Sequence, residues 1–131
     1  MKSVEFQFSY NPFLRVLMTP MLVGPRYSTV RVDDDRISVR MGFGGWSFAA
    51  ALPTASITEV TRVAGPVLGW GVHGGWRGLW LVNGSSRGLV RMTIEPRARG
   101  RCLGFPLRVR QLTVSLADPD GFVKAVAALA R

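Results

Sequence analysis

Apolar and polar residues alternate along much of this chain with a period of two, which is typical of strands with one buried face. The alternation is clear over residues 4–8, 27–33 and 37–41, and the acidic run Asp33-Asp34-Asp35 predicts a turn between the last two. From Tyr27 onward the chain contains seven strand-like segments. Two of them are residues 27–33 and 37–41, and the other five are residues 46–51, 57–63, 79–82, 89–94 and 107–114. The pattern predicts a mainly β protein.

Three connections between these strands are marked by glycine, proline and asparagine. Residues 65–76 predict a long glycine-rich connection, and residues 95–106 predict a second loop, since prolines and glycines interrupt both. Asn83-Gly84 predicts a tight hairpin that joins residues 79–82 to residues 89–94.

A helix is predicted near each end of the chain. Asn11-Pro12 begins a short helix that Pro20 ends. Near the C-terminus, Asp118 is the expected cap and Pro119 the first helical residue. One apolar stripe follows, formed by Phe122, Val123, Val126, Leu129 and Ala130. A stripe of this kind must be buried, and the sheet is the surface that can bury it.

Seven antiparallel strands followed by one amphipathic helix resemble the pleckstrin-homology (PH) superfold, including its bacterial PH-like members. The resemblance covers residues 27–131 and rests on the turn at residues 33–36, the Asn83-Gly84 hairpin and the ending at residues 114–122. It implies a partial barrel of two packed sheets, capped by the C-terminal helix. Residues 1–26 would then be an extra N-terminal strand and short helix packed on the domain.

Domains of the PH-like fold bind phospholipid headgroups, peptides or other proteins, so the resemblance does not fix a function. Phosphoinositide-binding members gather basic residues around the loop between the first two strands. Here that loop is Asp33-Asp34-Asp35, flanked by Arg31 and Arg36. Three carboxylates repel a phosphate, so we expect no headgroup in that pocket.

The net charge of the chain says more about its possible partners than its composition does. The 131 residues suit a single domain, and their net charge is +9. A field of this sign attracts acidic proteins, anionic lipids and nucleic acids. Lys2 and Lys124 are the only lysines, so arginine supplies the rest of the 17 basic residues. A GC-rich bacterial genome produces the same arginine bias, which leaves a compositional explanation open beside a functional one.

Catalytic chemistry finds no support in the residue pattern. His73 is the only histidine and Cys102 the only cysteine, and the sequence contains no metal-ligand spacing, nucleophile elbow or phosphate-binding glycine loop. We therefore expect a protein that is not an enzyme and that uses no cofactor or metal. The single cysteine and the absence of a secretory signal pattern predict a cytoplasmic protein.

Two groups of residues are candidates for a surface that binds a partner or an anion: Trp70, His73, Trp76 and Arg77 in the glycine-rich connection, and Arg97, Arg99 and Arg101 in the second loop. Exposed tryptophans beside cations favour interfaces, although the two rings could instead fold back over the sheet. Alternate arginines on an extended segment face one way and suit phosphate or an acidic partner, although a solvated loop is the simpler alternative.

The expectation that follows is a non-enzymatic PH-like binding or assembly module. It would engage an unknown protein partner, or form a homo-oligomer, through the tryptophan-bearing connection or a free sheet edge. One alternative is peripheral attachment to the anionic inner face of a membrane through basic and tryptophan-bearing loops. Another is a small-ligand-binding barrel. Nucleic acid is not expected, because no aromatic residue is interleaved with the arginines.

Overall fold

Nine strands and one helix occupy the part of the chain that the computed structural model describes, which is residues 4–9, 28–42, 48–63, 71–74, 78–83, 88–102 and 105–129. The strands are β1 (Val4–Phe6), β2 (Thr29–Val32), β3 (Arg36–Met41), β4 (Phe48–Pro53), β5 (Ile57–Arg62), β6 (Gly71–Gly74), β7 (Leu79–Asn83), β8 (Leu89–Cys102) and β9 (Phe105–Ser115). The helix is α1 (Pro119–Leu129), and a 3₁₀ turn at Thr54–Ser56 joins β4 to β5. The prediction of a mainly β protein with a C-terminal helix is confirmed.

The described strands form one hydrogen-bonded sheet in the order β1-β2-β3-β4-β8-β9-β7-β6, and β5 pairs with β8 beside this path. The finer prediction of seven antiparallel strands in two packed sheets is not matched, because nine strands are connected and β7 runs parallel to β9. The sheet is not closed. The predicted short helix near the N-terminus lies outside the described residues.

The segment that follows β1 reaches across to the end of β9. Phe8 forms an antiparallel bridge with Leu116. Beside it, the Ser9 amide donates to the Ser115 carbonyl, and the Ala117 amide donates to the Gln7 carbonyl, each at 2.9 Å. Since β1 itself pairs with β2, residues 4–9 connect β2 to the end of β9 through backbone hydrogen bonds.

Strand β8 is the strand on which the sheet is organised. It pairs with β9 through both of its halves, with β5 through its first half and with β4 through its second half. The pairing shifts register between Thr93 and Ala98, as a β-bulge does. One strand therefore belongs to two differently paired regions of the sheet.

The predicted loop at residues 95–106 is wrong, since most of this stretch belongs to β8 and β9. Pro96 lies at the register shift and is exposed, where a strand needs no donor from it. A β-carbon on Gly100 would lie 2.9 Å from the Ala49 carbonyl oxygen, so the close approach of β4 requires a glycine there. The two residue types that predict a loop instead permit a bulge and a close contact between strands.

Two further predicted connections are corrected by the pairing. The hairpin between residues 79–82 and 89–94 does not form, because β5 and β9 already occupy both edges of the first half of β8. Strand β7 pairs instead with β6 and β9. Strand β6 lies within residues 65–76, where a connection was expected, and its backbone pairs with β7 despite its two glycines.

Helix α1 packs its predicted apolar stripe on the core, with Phe122 and Val126 buried and Val123 and Leu129 partly buried, whereas Ala130 lies outside the described residues. The Asp118 carboxylate accepts a hydrogen bond from the Gly121 amide at 3.1 Å, which confirms Asp118 as the cap. Phe122 is fully buried, and its ring meets the ring of Phe6 edge-on with the centroids 5.3 Å apart. An ion pair of 2.7 Å between Arg62 and Asp120 joins β5 to the first turn of the helix.

The inner face of the sheet and the stripe of α1 share one apolar core. Its largest fully buried side chains come from strands β2, β3, β4, β8 and β9, from the residue after β9 and from the helix. They are Val30, Ile37, Met41, Phe48, Leu52, Met92, Ile94, Leu112, Leu116 and Phe122. In β2, β3, β4 and the second half of β8, the side chains that face this core alternate with more exposed neighbours, and this alternation positions the site described below.

We predict that Phe122→Ala lowers the free energy of unfolding by about 3–5 kcal/mol, the usual cost of removing a buried ring. Chemical denaturation followed by tryptophan fluorescence measures the change. Lys124→Ala, an exposed substitution on the same helix, is the control and should have little effect. A loss below about 1 kcal/mol for Phe122→Ala would mean that the helix is not held by the core.

Candidate functional site

Two rows of outward-facing residues cross the neighbouring strands β2, β3, β4 and β8. The register places Thr29, Arg40, Ala49 and Arg101 in one row, and Arg31, Ser38, Ala51 and Arg99 in the next. The residues between the rows, including Val30, Val39 and Ala50, are buried in the core. Because side chains alternate along a strand, the rows share the opposite, exposed face.

These rows form an open groove of about 540 Å³ on the outer face of the sheet. We define the arginine groove by its five basic residues, Arg31, Arg36, Arg40, Arg99 and Arg101. Its floor consists of small side chains, among them Ser38, Ala49 and Ala51. Large cations around a floor of alanine and serine make the surface concave.

The dimensions of the arginine groove follow from strand geometry. Strands β3 and β8 flank β4, so Arg40 and Arg101 stem from backbones about 10 Å apart, twice the usual strand separation. Along β8, Arg99 and Arg101 are two residues apart, which is about 7 Å in an extended strand. The groove is therefore about as wide as one extended chain, and its direction is that of β4.

One arginine of the groove is neutralised by an ion pair with a described residue. The Arg31 guanidinium donates to the Glu5 carboxylate at 2.6 Å, and this hydrogen bond, together with the charge of Glu5, raises the pKa of Arg31 above its ordinary value. Among the described residues, Arg36, Arg40, Arg99 and Arg101 form no ion pair. Asp33 is the one acidic residue among the described residues that line the groove, so this part of the surface has a large excess of positive charge.

The structure brings together some of the residues that the sequence singled out. Arg97, Arg99 and Arg101 are exposed on β8, and the last two line the arginine groove, whereas Arg97 lies at the register shift outside its lining. The backbone of His73 lies in β6, on the other side of the sheet order. Trp70, Trp76 and Arg77 lie outside the described residues.

Sequence reasoning missed Arg36 and Arg40 as site residues, although a signal for them existed. Both occupy outward positions of the predicted strand around residues 37–41, with Ser38 between them. Their alternation with buried Ile37 and Val39 places them on one face. What the local pattern does not contain is the pairing of β4 with β8, which brings Arg99 and Arg101 opposite them.

The edge of β9 offers little for strand addition. In the described part of the chain, no strand pairs with Phe105–Val109 on the side away from β8, since β7 pairs only with residues 111–114. On that edge, the Trp80 indole N–H donates to the Arg108 carbonyl at 3.2 Å. Pro106, two residues earlier, has no N–H to donate. An occupied acceptor and a missing donor protect the edge against a new strand.

Cys102 lies on the inner face of β8, beside the arginine groove but not in it. Neighbouring residues of a strand point to opposite faces, so the Cys102 thiol and the Arg101 guanidinium are separated by the sheet. Partial burial raises the pKa of the Cys102 thiol above its ordinary value. The thiol is therefore less ionised at neutral pH than a free cysteine, which does not favour a nucleophilic role.

Comparison with known proteins adds no relative from which a function could be inferred: the chain matches no family model, no curated protein and no solved structure. Within the described residues, no group of three or more histidine, cysteine, aspartate or glutamate side chains could hold a metal ion. The same part of the chain contains no helix that is long and apolar enough to cross a membrane.

We predict that iodoacetamide alkylates Cys102 more slowly in the native protein than in the protein unfolded by urea. Burial favours the neutral thiol in the folded state, whereas unfolding returns the pKa to its ordinary value and frees access. Mass spectrometry at mildly alkaline pH gives both rates. A faster native reaction would show that the neighbouring Arg101 controls the thiol after all.

Proposed function

We propose that this chain is a non-enzymatic binding module that engages an acidic protein partner through the arginine groove. The observation that carries the proposal is the juxtaposition, on one exposed sheet face, of four arginines without an ion pair among the described residues. Like charges so close together repel one another. A bound anion relieves that repulsion, so the electrostatic free energy of the groove is lower when an anion occupies it.

The chemistry of the cations supports this proposal. Arginine presents a rigid planar fork that pairs with both oxygens of a carboxylate, whereas lysine acts as a point charge. All cations in the described lining of the groove are arginines, and Lys124 lies on α1, outside that lining. Carboxylates of an acidic segment match this donor geometry.

Strand addition at the free part of β9 is less well supported than binding in the groove, since Trp80 and Pro106 protect that edge. Assembly through β1, β5 or β6, each of which has one partner among the described strands, stays a prediction. The role of Trp70, His73, Trp76 and Arg77 stays a prediction, as does the PH-like assignment. An interior ligand is also less well supported, because the described core side chains occupy the inner face of the sheet. The cytoplasmic location, inferred from the single cysteine, belongs to the same proposal.

Peripheral attachment to an anionic membrane is the second candidate, and one residue favours it. Phe105 is 74% exposed at the start of β9, and its neighbour Pro106 pairs with Arg101 of the groove. Phe105 itself pairs with Cys102, so its ring lies on the face opposite Arg101, and it is the exposure of the ring that suits the interface of a bilayer. Flotation with phosphatidylglycerol vesicles tests this candidate, and no lipid-bound fraction at low salt would exclude it.

We predict that the double substitution Arg99→Gln with Arg101→Gln weakens binding of fluorescein-labelled poly-glutamate by about tenfold or more. Two guanidinium donors are lost while the outer face of the sheet keeps its shape. Fluorescence anisotropy at low salt measures the affinity, and added salt should weaken binding of the unsubstituted protein.

The matched control is Arg91→Gln with Lys124→Gln, which removes the same charge from exposed positions outside the groove. Its affinity should stay within about twofold of the unsubstituted protein, since distant charges are screened. Equal losses for the two double variants would assign binding to overall charge and contradict the proposal. Thermal unfolding confirms that both variants are folded.

A further inference from the structure

The arginines of the groove are spaced along the direction of β4. Arg40 and Arg101 lie on either side of Ala49, and Arg99 lies beside Ala51 one step further along. Arg36 pairs with Pro53 at the next step. Each step is two residues of an extended strand, or about 7 Å. The cations therefore follow the outward side chains of β4 at regular intervals.

We infer that the ligand of the arginine groove is an extended peptide segment with an acidic residue at every second position, lying along β4. The inference rests on the proposed function and names the conformation and the charge pattern of the partner. In an extended peptide, alternate side chains point to the same side and repeat at about 7 Å. Three such carboxylates meet Arg40 with Arg101, then Arg99, and then Arg36.

The floor of the arginine groove supports an extended chain over a helix. A helix with its side chains is about 10–12 Å across, which exceeds the space left between arginines whose backbones are about 10 Å apart. Ala49 and Ala51 are too small to hold a ligand away from the sheet, so a narrow chain can lie close to β4. Its carboxylates then reach the guanidinium groups from the side.

The charge pattern follows from the same alternation. In a segment with consecutive acidic residues, every second carboxylate would point away from the groove and meet no arginine. Asp33 lines the groove near Arg36, and Arg31, which is paired with Glu5, lies one step further in beside Ser38. The negative charge of Asp33 disfavours further acidic residues beyond that end, which limits the acidic stretch to the length of the groove.

Two labelled peptides of equal composition test the inference: one alternates glutamate and threonine, and the other places all its glutamates in one block. Fluorescence anisotropy at low salt should give an affinity about tenfold higher for the alternating peptide, because all its carboxylates face the arginines. Ala51→Leu raises the floor of the groove and leaves every arginine in place. This substitution should remove the preference for the alternating peptide.

The control is Ala127→Leu, which adds the same side chain at an exposed position of α1 and should leave both affinities unchanged. Equal binding of the two peptides, with a loss in the Arg99→Gln and Arg101→Gln variant, would overturn the inference and leave the proposed function standing. Peptide binding that is unchanged in the Arg99→Gln and Arg101→Gln variant would overturn both the inference and the proposed function. Binding to anionic vesicles without measurable peptide binding would also overturn the inference.

Discussion

The shared pairing of β8 is the constraint on which the rest of the structure depends. Its first half is held between β5 and β9, and its second half is held between β4 and β9. At the register shift, the partner on one edge of β8 changes from β5 to β4, while β9 remains the partner on the other edge. That change brings Arg99 and Arg101 next to β4, across which lies β3 with Arg36 and Arg40, and it leaves the first half of β8 near helix α1.

The core and the arginine groove lie on opposite faces of the same strands, because successive side chains of a strand point to opposite sides. Most outward arginines of β3 and β8 have a buried inward neighbour, such as Val39 or Ala98, and Arg101 has the partly buried Cys102. The burial of those neighbours fixes the register, and the register fixes the spacing of the charges. Removing apolar area from water, at about 25 cal/mol per Å², offsets the repulsion among the arginines. A cluster of like charges held by a well-packed core is typical of a binding site rather than of a stabilising feature.

Local patterns predicted those parts of the fold that depend on short-range chemistry. The helix at Pro119–Leu129, its Asp118 cap and the turn after Asp33 follow from side chains that act within a few residues. The length of β8 does not follow from such local chemistry, because Pro96 and Gly100 favour a loop. The strand continues through them because it pairs with β4 and β9. The site was half predictable for the same reason. Alternate arginines are visible in the sequence, but the strand that brings them together is not.

Binding of an anionic partner in the arginine groove can be observed residue by residue when ¹⁵N-labelled protein is titrated with poly-glutamate and followed by NMR. We expect the largest shift changes on the amides of residues 36–40, 49–51 and 99–101, which belong to β3, β4 and the second half of β8. Changes confined to residues 70–77, with none on those three strands, would contradict this expectation and move the binding surface to the tryptophan-bearing connection.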